Sequence, residues 1–193
     1  MNLPNKLTLL RITLTFLIMA CLFAPGAAAK ALALGLFGLA SLTDWLDGYL
    51  ARRQQHVTPL GVLLDPIADK VLVIGLLLAF VQLELVRAWM VLVITIREFL
   101  ITGVRLYAAG HHIVIPAARE GKHKTFSQMA TIFLILALLL ARDLLDDAGR
   151  NQLEAWMPGV VLSCMWITVL LTVISGASFF WRNRTVLIDA TSR

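Results

Sequence analysis

The sequence is 193 residues long, 59% hydrophobic and only 15% charged, with a formal net charge of +5 and a mean hydropathy of +0.82. A soluble domain is about half apolar and about a quarter charged, so these figures exclude an ordinary water-soluble globular protein. They also argue against a nucleic-acid binder, because Lys and Arg are scattered between apolar blocks rather than gathered on one arm. Cys21 and Cys164 lie inside apolar blocks and read as small buried hydrophobes, not as a disulfide or metal site.

Crossing the hydrocarbon of a bilayer takes about 20 apolar residues. Six such segments can be drawn, at 7–23, 30–50, 60–83, 88–108, 125–140 and 157–181. The expected fold is therefore an all-α integral membrane protein of six transmembrane helices, forming one domain over residues 1–193. The first segment, preceded by Lys6 and Arg11 and followed by Pro25-Gly26-Ala27-Ala28-Ala29, imitates a cleavable signal peptide. Since the remainder is just as apolar, a first membrane helix is the simpler account. The second carries small residues at Ala31 and Gly35, a close-packing spacing. Polar connections are expected at 52–59, 84–87 and 111–124, the last containing His111 and His112, and a net acidic one at 142–154. Basic residues concentrate on alternate connections, with Lys6, Arg52, Arg53, Arg119, Lys122, Lys124, Arg182, Arg184 and Arg193 on one side. The positive-inside rule then places both termini and the 52–59 and 111–124 connections in the cytoplasm.

Ionisable groups in membrane helices are costly and point to function. Four carboxylates fall on consecutive segments, Asp44 and Asp47 on the second, Asp65 and Asp69 on the third. The spacings i,i+3 and i,i+4 put each pair on one helical face, and a short connection makes the two segments antiparallel neighbours. Four clustered carboxylates repel one another unless a cation joins them. Hard oxygen donors suit Mg²⁺, Mn²⁺ or Ca²⁺ and disfavour zinc, and two ions beside phosphates suit phosphoryl transfer. Gly48, Ala51 and Gly61 leave room for a bulky ligand, and Arg52 can hold phosphate oxygens bidentately. Plainer readings exist for each residue alone: Asp65 before Pro66 as a helix N-cap, Arg52 as a snorkelling side chain.

Taken together the residues read Asp44-x2-Asp47-Gly48-x2-Ala51-Arg52-x8-Gly61-x3-Asp65-x3-Asp69. This resembles the signature of the CDP-alcohol phosphatidyltransferase family at every fixed position. Asn2-Leu3-Pro4-Asn5, Thr8-Leu9-Leu10-Arg11, Leu64-Asp65-Pro66-Ile67-Ala68-Asp69-Lys70, Arg97-Glu98 and Gly121-Lys122-x-Lys124-Thr125 look like bacterial members that use sn-glycerol 3-phosphate. The last two segments match in character only.

The resemblance implies the six-helix fold of that family, a homodimer in the bacterial cytoplasmic membrane, and a site open to the cytoplasm. It implies that Asp44, Asp47, Asp65 and Asp69 hold Mg²⁺ or Mn²⁺, with two ions expected, and that Asp69 is also the general base. The CDP-lipid pocket would be lined by Asp44, Asp47, Gly48, Ala51, Arg52 and Gly61. The implied reaction moves the phosphatidyl group of CDP-diacylglycerol to glycerol 3-phosphate and releases CMP. Cations for the acceptor phosphate are available at Arg97, Arg105, Lys122 and Lys124. Arg97 and Arg105 lie on the fourth segment, and Glu98 falls on nearly the same face as Arg105. For Arg105, Lys122 and Lys124, the plainer reading is positive-inside flanking. Met and Trp in the last segment read as packing and interfacial anchors.

Two alternatives stay open. Within the family, the acceptor could be inositol phosphate or another alcohol, although the basic set favours a phosphorylated one. From another class, a divalent-cation transporter could use the same carboxylates. It predicts acids at mid-membrane and leaves Arg52 and the basic residues without a role.

Overall fold

The structure, a computed structural model, describes the backbone of residues 3–51, 59–110 and 120–184, and the side chains of 9–43, 70–110 and 124–184. Six helices follow in order: α1 (Leu3–Phe23), α2 (Ala27–Ala51), α3 (Pro59–Gln82), α4 (Ala88–Gly110), α5 (Glu120–Leu144) and α6 (Asp147–Arg182). Among the described residues there is no strand. Each apolar block of the sequence is therefore one helix, as backbone groups in hydrocarbon must be satisfied within their own segment.

Turn chemistry sets the boundaries. Gly26, at φ +94°, reverses the chain between α1 and α2, a backbone region that costs glycine little. Lys30 is 6% exposed and its Nζ donates to the carbonyls of Leu22 at 2.6 Å and Ala24 at 2.7 Å. It closes the end of α1, whose last carbonyls have no helical partner. A charged hydrogen bond of this kind contributes about 1.5–3 kcal/mol. Lys30→Met is expected to lower the unfolding midpoint in detergent by several degrees, while activity per folded molecule stays at the wild-type level.

The acidic connection expected at 142–154 is helical for most of its length. Asp146 is the N-cap of α6, its Oδ1 accepting from Gly149 N at 3.1 Å, with Asp147 in the first turn. The side chain of Arg150 reaches back to donate to Arg142 O at 3.3 Å. Carboxylates that look like a solvated loop are in fact the capping chemistry of a helix start. The result is a 36-residue α6, about 54 Å long at 1.5 Å per residue, more than one bilayer core needs.

Helix α1 packs against both α2 and α3, α5 against α2, α3 and α6, and α4 against α3 and α6. Among the described residues, α2 and α3 are joined mainly through these shared neighbours rather than face to face. Small residues explain the arrangement. Ala33 and Ala40 are fully buried on α2. A Cβ on Gly75 of α3 would come within 3.0 Å of Thr15 Cγ2 on α1, so glycine is what lets those two helices approach. Ala31 and Gly35, by contrast, face outward and a Cβ at Gly35 meets nothing within 4 Å.

The core runs through Ile18, Leu22, Phe37, Leu76, Phe80, Met90, Ile94, Ile135 and Met165. The outer face is also apolar, with Phe16, Leu39, Leu78, Phe99, Phe133 and Ile174 exposed. Such a continuous apolar exterior suits lipid, not water. Among the described residues, 124–144 and α6 are long and apolar enough to cross a membrane. Helix α4 is interrupted by Arg97, Glu98 and Arg105, and that interruption leads to the site.

Candidate active site

Two sets of chemical groups converge at one end of the bundle. The carboxylate set is placed by the backbone. Asp44, Asp47, Gly48 and Ala51 occupy the last two turns of α2, and Gly61, Asp65 and Asp69 the first three turns of α3. Both stretches are helical, so each aspartate pair shares a face as its spacing requires. Helix α3 starts at Pro59; Asp65 is therefore in its second turn and is not the N-cap that the Asp-Pro dipeptide alone suggests. The side chains of these residues, and Arg52 and Lys122, lie outside the described residues. Among the described residues no group of three His, Cys, Asp or Glu could hold a metal.

The basic set is built by α4, α5 and α6. Arg97 Nη1 lies 3.2 Å from Glu98 Oε1, and Nη2 donates to Ser175 Oγ on α6 at 2.9 Å. Lys124 Nζ pairs with the same Glu98 oxygen from the first turns of α5. The side chains are nearly buried, at 13% exposure for Arg97 and Glu98 and 7% for Lys124. Arg105 stacks its guanidinium over the Phe179 ring, 5.5 Å from the centroid, a cation–π contact. Among the described residues, the cations Arg97, Arg105 and Lys124 outnumber the carboxylate of Glu98. In a low-dielectric setting such an excess is costly unless an anion joins it, and a phosphate monoester carries the matching charge.

The two sets are linked through α3. This helix carries Asp65 and Asp69 in its first three turns and packs against both α4 and α5, the helices that bear Arg97 and Lys124.

Glu98 bridges Arg97 and Lys124, while Arg105, on nearly the same face of α4, turns to Phe179. Helical periodicity reports shared faces and is silent about a partner on another helix. It also missed the contribution of α6, which is more than packing and anchoring. Ser175 holds Arg97, and Gly176 gives it room: a Cβ there would lie 3.2 Å from Arg97 Cγ. The available signal was the polar interruption Thr168, Thr172 and Ser175, at i, i+4 and i+7 in an apolar helix.

Residues 1–174 match the CDP-alcohol phosphatidyltransferase family. The chain is 39% identical to the CDP-diacylglycerol–glycerol-3-phosphate 3-phosphatidyltransferase of Bacillus subtilis, over 94% of this chain and 95% of that protein. It is 35% identical to the protein of the same name from Rickettsia felis, over 93% of each. It is 36% identical to a probable phosphatidylglycerophosphate synthase of Mycobacterium tuberculosis, over 94% of this chain and 81% of that protein. With a family match over residues 1–174 and relatives alike through nearly their whole length, this protein belongs to the CDP-alcohol phosphatidyltransferase family.

Proposed function

We propose that the chain transfers the phosphatidyl group of CDP-diacylglycerol to sn-glycerol 3-phosphate, yielding phosphatidylglycerophosphate and CMP. The observation that carries the acceptor is the nearly buried Arg97–Glu98–Lys124–Ser175 cluster, on helices of which α4 and α5 pack against α3. The names of the full-length relatives support the same acceptor. The family is one of metal-dependent phosphotransferases, and an all-carboxylate donor set on two helices fits a hard divalent ion. Asp44, Asp47, Asp65 and Asp69 would hold Mg²⁺ or Mn²⁺, two ions in our reading. When bound, such ions neutralise the diphosphate and the departing CMP.

The chain's own residues then divide the work. Arg97, Arg105, Lys122 and Lys124 take the phosphate of glycerol 3-phosphate and fix its free end. Asp69 accepts the proton of the C1 hydroxyl. The oxygen attacks the lipid-linked phosphorus, the P–O bond to CMP breaks, and CMP leaves with the electron pair. Gly48, Ala51 and Gly61 make room for the cytidine diphosphate, which Arg52 steadies. Holding both reactants in line contributes much of the rate. We further read the chain as a single domain of six spans in a bacterial cytoplasmic membrane, its site open to the cytoplasm, and as a homodimer. The transport reading has no comparable support, since the aspartates lie at helix ends beside a short connection.

The test is CMP release by the purified protein with CDP-diacylglycerol and Mg²⁺ against glycerol 3-phosphate, inositol 1-phosphate, serine and phosphatidylglycerol. Release with glycerol 3-phosphate alone is expected. Release with another acceptor moves the substrate, and release with none sinks the assignment. Gly176→Ala gives a second check. Arg97 is pinned at its guanidinium by Glu98 and Ser175, so it cannot easily yield to the new methyl group. The shift is expected to raise KM for glycerol 3-phosphate about tenfold with CDP-diacylglycerol kinetics unchanged.

A further inference from the structure

Gln128 lies on α5 one helical turn beyond Lys124, so both side chains leave the same face. It is only 3% exposed, yet among the described residues its amide Nε2 is fully buried and has no hydrogen-bond partner. Polar groups are close by. Ser127 and Thr131, on either side of it, both bond to Thr168 Oγ1 on α6, at 2.8 and 3.0 Å. One turn further along α6, Thr172 is fully buried and its Oγ1 is likewise without a partner. The carbonyl of Thr172 accepts from Ser175 Oγ at 3.1 Å, the hydroxyl that also holds Arg97. A chain of polar groups thus runs from the Gln128 level of α5 along α6 to the phosphate-binding cluster.

Buried polar atoms are nearly always paired, and an exception calls for an explanation. Four of the exceptions here are Arg97 Nε, Arg105 Nε, Gln128 Nε2 and Thr172 Oγ1. The two arginine atoms belong to the cationic set and suit phosphate oxygens. The other two are neutral. An amide and a hydroxyl each offer a donor and an acceptor, and both are complementary to an uncharged alcohol.

We propose that Gln128, assisted by Thr172, binds the C2 hydroxyl of the acceptor and sets the preference for glycerol 3-phosphate over phosphorylated alcohols that lack it. This rests on the acceptor reading above and deepens it. The arginines and Lys124 recognise only a phosphate monoester, which many metabolites carry. Gln128 distinguishes the polyol. A site built to hydrogen-bond a hydroxyl rejects the analogue without it, because its own polar groups are then left buried and unpaired.

The experiment compares kcat/KM for glycerol 3-phosphate and for 3-hydroxypropyl phosphate, which keeps the primary hydroxyl and phosphate and lacks the C2 hydroxyl. The full chain in detergent is used with CDP-diacylglycerol and Mg²⁺, as wild type, Gln128→Leu and Gln128→Met. The ratio of the two acceptors within one preparation does not depend on how much of it is folded. Wild type is expected to favour glycerol 3-phosphate by at least about tenfold. In both variants that advantage should collapse, with glycerol 3-phosphate falling about tenfold and the analogue holding its rate. An unchanged ratio in both variants overturns the proposal, whether or not the absolute rates fall. A wild-type ratio near one overturns it too, while leaving the acceptor assignment standing. If wild type turns over another phosphorylated alcohol and not glycerol 3-phosphate, both readings fail together.

Discussion

Asp69→Asn should lower kcat for CMP release about a thousandfold while KM for glycerol 3-phosphate changes little. Asparagine keeps the shape of the side chain but cannot take a proton at neutral pH, so it cannot activate the acceptor hydroxyl. It also removes one negative charge from the donor set formed with Asp44, Asp47 and Asp65, and the two effects must be separated. Mn²⁺ titration does so. A variant that binds Mn²⁺ as tightly as wild type but turns over slowly has lost its base, whereas one that binds Mn²⁺ ten- to a hundredfold more weakly has lost a ligand. Asp44→Asn is the control, expected to fail through weakened metal binding alone and to recover in part at high Mg²⁺. Chelation with EDTA should silence the wild-type enzyme, with Mg²⁺ or Mn²⁺ restoring it. Turnover by Asp69→Asn within tenfold of wild type would remove this residue from the chemistry.

The carboxylate set was legible in the sequence because it consists of fixed residue types at fixed spacing on two adjacent helices, and helical backbone over both stretches is all that the spacing requires. The six helices were legible because apolar blocks and turn residues delimit them. What escaped was everything decided between helices. Periodicity puts Glu98 on nearly the Arg105 face of α4 but says nothing of its partner Lys124, 26 residues away on α5. Lys30, a lone cation at the start of an apolar block, is the cap of α1. Asp146 and Asp147 read as part of a loop and begin the longest helix in the chain. Thr172 stood out only as part of the polar interruption of α6, and Gln128 gave no signal of its own. Its meaning comes from burial and from the lack of a partner, which only coordinates reveal.

Arg97→Met is expected to raise KM for glycerol 3-phosphate about a hundredfold, with KM for CDP-diacylglycerol unchanged. Removing one partner from a buried ion pair costs about 3–5 kcal/mol, about two to nearly four powers of ten. The lower end applies because Lys124 stays beside Glu98 and keeps that carboxylate paired. A rise in KM with little change in kcat is the mark of binding that is as strong in the ground state as in the transition state, which is what a handle on a non-reacting phosphate should provide. Arg97→Lys should recover only about tenfold of the loss. Its single ammonium keeps the charge, but cannot reproduce the fork that spans Glu98 and Ser175 from one planar group. Ser175→Ala takes away one tooth of that arrangement without touching charge, and should fall between wild type and Arg97→Lys. If Arg97→Met instead lowers the unfolding midpoint and leaves KM for glycerol 3-phosphate where it was, the cluster is a structural ion-pair network. The acceptor phosphate must then be held by Arg105, Lys122 and Lys124.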